Sequence, residues 1–215
     1  MKPIKITLTQ FCNYISKTGK HRYNAAKSIM RELHSDYKIS TDYWGPLRSR
    51  IAYVLGHSGK ATDLDVVLES VSEDKKENYK AKVDGIKKFW KKKKFTKISI
   101  NKRVWKHKNL RINVSPEMCF AYRDRIYVVK LFYSSKGKTI TKNEADILLE
   151  IMRDTLDLDP KEVTLGVLDV SRGKLFQYSN TSDDLLLWVK FEAESLCKFL
   201  EDIEKHSESL SYQTI

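Results

Sequence analysis

Between Leu110 and Tyr133 the chain alternates so regularly that the centre of the fold follows from it. Leu110, Ile112, Val114, Met118, Phe120 and Tyr122 recur at period two, the spacing of a β-strand. Arg125 to Tyr133 reads as a second strand, joined to the first through a two-residue turn at Arg123-Asp124. That turn pairs Tyr122 with Arg125 and Phe120 with Tyr127, and the same register sets Glu117 opposite Lys130. One face of the hairpin then carries Cys119, Ala121, Ile126, Val128 and Phe132; the other carries Met118, Phe120, Tyr127, Val129 and Leu131. A hairpin apolar on both faces belongs in the middle of a sheet covered on both sides. Glu117 and Lys130 are thereby a carboxylate and an ammonium in apolar surroundings, a costly arrangement to desolvate. Two readings follow: a functional site or an ordinary cross-strand salt bridge. The register is the step on which both depend, because Arg-Asp is a poor match to the Asn-Gly loops of two-residue hairpins.

Helical patterns precede the hairpin. A short one starts at Thr9 and covers Phe11, Tyr14 and Ile15. A second carries a stripe of Tyr23, Ala26, Met30, Leu33 and Tyr37 at spacings of three and four. A third opens at Thr41 or Asp42, accepts Pro46 in its first turn and ends at Gly56. Leu64 to Leu68 is a shorter one, and the last runs from Asp74 to Lys94. Phe95 to Ile100 reads as a short strand and Asn101 to Asn109 as a loop. After the hairpin come a loop at Ser134–Lys138 and a helix opened by the Thr141–Glu144 capping box. A strand at Val163–Val170 follows, turned by Ser171-Arg172-Gly173 into Leu175–Tyr178, and then a long helix from Thr181 or Ser182. The pattern predicts an α+β, mixed α/β protein: a helical N-terminal region over 1–73, then a mixed α/β domain over 74–215 with a small sheet flanked by helices.

Charge narrows the partners. Twelve of the twenty-five residues from Lys87 to Arg111 are Lys or Arg, and none is acidic. Phe89, Trp90, Phe95 and Trp105 stand among them. Residues 1–140 hold 32 basic and 12 acidic side chains; residues 141–215 hold 8 basic and 16 acidic. A self-repelling basic segment in a protein of net charge +12 suits a polyanion, bound chiefly through phosphates. The expected nucleic-acid contacts are Lys87, Lys88, Lys91, Lys92, Lys93, Lys94, Lys97, Lys102, Arg103, Lys106 and Lys108, with DNA and RNA both open. A reading from another class is a protein-interaction or regulatory module, drawn by this uneven charge to an acidic protein partner or into a homodimer.

Pro116-Glu117, a turn, then Val128-Val129-Lys130 resembles the PD-(D/E)XK nuclease superfamily, whose core runs helix, three strands, helix, strand. The resemblance covers roughly residues 75–178 and implies a restriction-endonuclease-like core. It implies that Glu117 matches the first metal-binding acid and Lys130 the lysine that positions or activates water. The second acid is replaced by Val128. Some members carry that acid on the following helix, which would make it Glu144, with Asp146 and Asp169 as weaker substitutes. An intact site of Glu117, Lys130 and Glu144 would hold Mg²⁺ on the two carboxylates and hydrolyse phosphodiesters. With Val128 in place of an acid, a nucleic-acid-binding protein that has lost its chemistry is the counterpart reading.

Other chemistry finds little footing. Cys12, Cys119 and Cys197 are too few and too far apart for a disulfide framework or a zinc site. His21, His34, His57, His107 and His206 lack ligand spacing. Leu55–Lys60 lacks the Walker A spacing, and Ser171 sits in no nucleophile elbow. No apolar run approaches the ~20 residues that span a bilayer, and no secretory signal pattern opens the chain. A soluble protein of a reducing, cytoplasmic setting is expected.

Overall fold

Two apolar cores, one on each side of a five-stranded sheet, organise the chain. The computed structural model describes residues 3–35, 42–57, 59–91, 93–133, 139–179 and 183–212. In chain order the elements are β1 (Ile4–Thr7), α1 (Leu8–Ile15), α2 (Gly19–His34), α3 (Gly45–Gly56) and a 3-10 helix (Ala61–Glu69). Then come α4 (Glu73–Trp90), β2 (Thr96–Lys97), β3 (Arg103–His107), β4 (Leu110–Val114), β5 (Met118–Tyr122) and β6 (Arg125–Phe132). The chain continues through α5 (Lys142–Leu156), β7 (Val163–Asp169), β8 (Lys174–Gln177) and α6 (Asp183–Tyr212). The large sheet has the order β2-β5-β6-β7-β8, antiparallel throughout except for the parallel β6–β7 pair. A parallel pair needs a crossover, and α5 supplies it behind its Thr141–Glu144 capping box. A smaller sheet, β1-β4-β3, is also mixed. The protein is α+β, two mixed sheets flanked by helices.

Period two decides which core each hairpin residue enters. Cys119 and Val128 join the first core, with α1, α2, α5, α6 and the small sheet. Met118, Phe120, Val129 and Leu131 join the second, with α3, the 3-10 helix and α4. The two faces are those expected from the sequence, and so is the register, with Met118 across from Val129 and Tyr122 across from Arg125. The residues before 73 are shared between the cores: α1 and α2 pack in the first, α3 and the 3-10 helix in the second.

Several boundaries differ from the sequence expectation, each for a local reason. Ile4–Thr7 is a strand, not part of a helical run, because it pairs in parallel with β4 and buries Ile6. Thr7 then caps α1 in a reciprocal box with Gln10. The run from Leu110 to Tyr122 is cut at Ser115-Pro116-Glu117, and its halves lie in different sheets; Pro116 has no N–H to offer a ladder. Arg103–His107 is a strand where a loop was expected, folded back on β4 through Lys108-Asn109, with Lys108 at φ 44°. Of the Phe95–Ile100 stretch Thr96-Lys97 forms the strand, and the Ile98 N–H adds one further bond to the Cys119 carbonyl at 2.9 Å. α4 stops at Trp90 because Lys91 (φ 40°, ψ −126°) leaves helical space. α2 buries Ala25, Ala26 and Ile29, and Tyr23 and Leu33 stay exposed, since α1 and α6 cover it along a narrow line of small residues. Tyr37, Thr41, the Ser134–Lys138 loop and the Thr181 or Ser182 helix start lie outside the described residues.

The hairpin turn adopts positive φ at both central residues, 49° at Arg123 and 59° at Asp124. Left-handed backbone costs a residue with a Cβ roughly 1 kcal/mol. Asp124→Gly is therefore expected to stabilise the fold by about 0.5–1 kcal/mol, raising the thermal midpoint by ~1–4 °C. A lowered midpoint in a thermal melt would contradict this account of the turn.

Candidate functional site: the Glu117–Lys130 pair and the basic segment

Glu117 and Lys130 meet as the register requires. Lys130 Nζ donates to Glu117 Oε1, and the two side chains are 13% and 16% exposed. The second carboxylate oxygen accepts the Leu131 N–H at 2.9 Å, and the Glu117 N–H donates to the Val129 carbonyl at 3.1 Å. Glu117 thus closes the end of the β5–β6 ladder where Pro116 leads the chain away. Nearby, Trp44 stacks on Tyr133 at 5.1 Å and 15°, and Tyr79 donates to the Tyr43 carbonyl. The Tyr133 hydroxyl is buried without a hydrogen-bond partner among the described residues; burial first, then the Glu117 charge, pushes its phenol well above the ordinary value. The hydroxyl falls on the inner edge of a cluster made by α3, α4 and the end of β6.

Glu144 is placed elsewhere by its own bonds. Its Oε2 accepts the Thr141 N–H and hydroxyl, each at 2.8 Å, and its carbonyl faces Cys12 of α1. Asp146 is held by Lys142, and Asp169 accepts the Ser171 and Arg172 N–H groups and Arg172 Nε. Among the described residues no group of three His, Cys, Asp or Glu side chains is placed to hold a metal ion. Mg²⁺ requires converging oxygen ligands, and the single carboxylate beside Lys130 is already committed to an ammonium and a backbone N–H. The residues present do not fit a resident Mg²⁺ at Glu117 and Glu144.

The basic segment wraps the β2 edge of the large sheet. It begins in the last turn of α4 beside the second core, passes through β2, and ends in the small sheet beside the first. Its rings turn inward: Phe89, Trp90, Phe95 and Trp105 are all buried, the last with Nε1 bonded to Asp154 at 2.8 Å. Some of its cations are engaged locally. Lys87 pairs with Asp65, Lys108 with Glu194, and Arg103 reaches the Thr155 carbonyl at 3.5 Å. Bonds from Lys108 and His107 hold the Glu194 carboxyl below its ordinary range. Lys88, Lys91, Lys94, Lys97, Lys102 and Lys106 are exposed, and none is paired with a carboxylate of the described residues. Lys93 donates to the Phe89 carbonyl at 2.7 Å and lies 4.3 Å from the Phe89 ring centre. Burial, then repulsion from Lys91 and Arg123, lowers its ammonium from the ordinary value. Lys92 lies outside the described residues.

Two features escaped the sequence reading, Arg123 and Lys82. Arg123, a turn residue, joins Lys91 and Lys93 in one field of like charge. Lys82 is buried in α4, donates to the Ser171 hydroxyl, and is lowered by burial against the opposing pull of Asp169. Asp169 lies under the β7–β8 turn, where Arg172 neutralises it. The turn itself stands where Ser171-Arg172-Gly173 predicts it, but Lys82 arrives from a helix distant in sequence. The thiols offer no nucleophile, since burial pushes Cys12 up to about 12 and Cys119 and Cys197 up to about 11.

The fold and the pair define the chain as a mixed α+β protein with a sheet-centred carboxylate–lysine pair and a basic edge. No protein-family model and no curated protein matches its sequence. Among the described residues no helix is long and apolar enough to cross a membrane.

Proposed function

We propose that this protein binds nucleic acid along the basic β2 edge of its sheet, on a PD-(D/E)XK-like core whose Glu117–Lys130 pair now serves structure more than hydrolysis. The observation that carries the reading is the set of exposed lysines at 91, 94, 97, 102 and 106 with no carboxylate paired to them among the described residues, while Lys88 lies against the β7–β8 turn. A solvated charge run on a protein with 28 acidic side chains would find more partners of its own. The order α4, β2, β5, β6, α5, β7 around the large sheet supports the resemblance, with β3 and β4 interrupting it. A cytoplasmic setting belongs to the same reading. Association with another protein is favoured by a different observation, the outward face of α6, where Leu187 and Phe191 are 53% and 61% exposed one turn apart.

Binding of a labelled oligonucleotide, followed by anisotropy across a salt series, tests the proposal. Log K is expected to fall linearly with log salt, by about 0.7–0.9 for each phosphate neutralised. Lys91→Gln and Lys94→Gln are each expected to flatten that slope by about one and to weaken binding a few-fold, regardless of sequence. Absence of binding at low salt would refute the proposal; a dimer in sizing experiments without such binding would favour association through α6.

A further inference from the structure

The aromatic rings of the basic segment are buried, yet a different aromatic surface stands beside it. On the outer side of α3, Tyr53 is 53% exposed and stacks on His57, ring centres 4.2 Å apart and planes 26° from parallel. The Arg50 guanidinium lies 5.0 Å from the Tyr53 ring centre. Arg50 and His57, on either side of Tyr53 in sequence, are held by hydrogen bonds. Arg50 Nε donates to the Asp63 carbonyl at 2.8 Å, and His57 Nδ1 is bonded to the Tyr53 carbonyl at 2.9 Å. The side chain of Asp63 itself turns to the Lys60 N–H at 2.7 Å. Lys97, from the basic segment, brings Nζ to the end of the same helix, 3.3 Å from where a Cβ on Gly56 would sit. The other end of α3 leads to Trp44, stacked on Tyr133 beside the Glu117–Lys130 pair.

We infer that the Arg50–Tyr53–His57 column is a stacking platform for an unpaired base, and that the nucleic acid this protein takes is single-stranded. The inference rests on the nucleic-acid reading above and adds the strand state to it. A duplex hides its base faces, so a surface of stacked planes rewards a strand whose bases are free. Here Arg50 and His57 are pre-set by hydrogen bonds and the Tyr53 ring stacks on His57 at the end of α3, so little side-chain freedom is lost when a base adds as the next layer. Charge complementarity selects the occupant: Arg50 lies in the column and Lys97 at its foot, where a phosphate follows the base. α3, about 18 Å long at its twelve residues, spans the distance from the basic edge to the Glu117–Lys130 end of the sheet.

The test compares a single-stranded oligonucleotide with a blunt duplex of the same sequence, both by anisotropy at one low salt concentration. Tyr53→Ala and His57→Ala are each expected to weaken single-strand binding about tenfold while leaving the duplex within about twofold. Tyr53→Phe keeps the ring and is expected to match the unchanged protein, and Lys97→Gln to weaken both forms. Single-strand binding unchanged in Tyr53→Ala and His57→Ala, or weakened equally on both forms, would overturn the platform and leave binding by the basic edge intact. Failure of the unchanged protein to bind either form would overturn both. A thermal melt of each variant separates loss of fold from loss of the column.

Discussion

Glu117→Ala is expected to destabilise the protein by about 3–4 kcal/mol, because it leaves the Lys130 ammonium and the Leu131 N–H without their acceptor. Lys130→Ala leaves the opposite charge unpaired and is expected to cost a similar ~3 kcal/mol. Replacing both, as Glu117→Leu with Lys130→Met, removes the charges together and is expected to recover most of that loss, short of the Leu131 N–H. Denaturant unfolding of the three variants measures this. Single variants as stable as the unchanged protein would mean that the pair does not hold the hairpin end. Function is read in the same proteins. Cleavage of DNA or RNA with Mg²⁺ or Mn²⁺ supplied, lost in the milder Glu117→Gln and Lys130→Met variants while both remain folded, would establish a nuclease and displace the binding-only reading. Cleavage undiminished in those variants would dismiss this pair as its site.

Gly85→Ala is expected to be more severe than its size suggests. A Cβ there would stand 1.9 Å from the Val170 carbonyl oxygen and 2.9 Å from the Ser171 backbone. Gly173, at φ 63°, answers from the other side: a Cβ on it would stand 2.3 Å from the Gly85 carbonyl oxygen. α4 and the β7–β8 turn therefore touch backbone to backbone, and neither can give way as a side chain does. The expected loss is about 3–5 kcal/mol, a fall of ~6–20 °C in the thermal midpoint. Gly56→Ala is the control, since its Cβ would meet only the flexible end of Lys97, and about 0.5 kcal/mol is expected there. Equal melting of the two variants would refute the close approach. The same contact sets Lys82 against Ser171 and brings Lys88, Arg172 and Lys174 around a cavity of about 700 Å³. Separating α4 from the turn should scatter these cations.

The hairpin was legible because its information is local. A two-residue turn and period two determine which side chains share a face, and Cys119 and Val128 part from Phe120 and Val129 as that arithmetic requires. The α5 capping box was legible for the same reason, four consecutive residues sufficing to close it. Glu144 shows the limit. Its distance along the chain from Lys130 suited a relocated acid, but the same carboxylate closes the cap, and the cap is nearer. β1 and β3 were illegible because each is short and takes its strand form from β4. The basic segment was recognised by composition alone, which could not tell that Phe95 and Trp105 turn into different cores and leave the lysines outside.

By itself, then, the sequence determined a sheet-centred hairpin apolar on both faces, a Glu117–Lys130 pair within it, and a basic run entering it. These follow from spacing and sign of charge, which act over a few residues. Tertiary structure alone decided that Arg123 joins Lys91 and Lys93, and that Lys97 meets the end of the helix carrying Arg50 and Tyr53. Those are contacts between segments far apart in the chain, set by how two cores close on the two faces of one sheet, and no local periodicity encodes them.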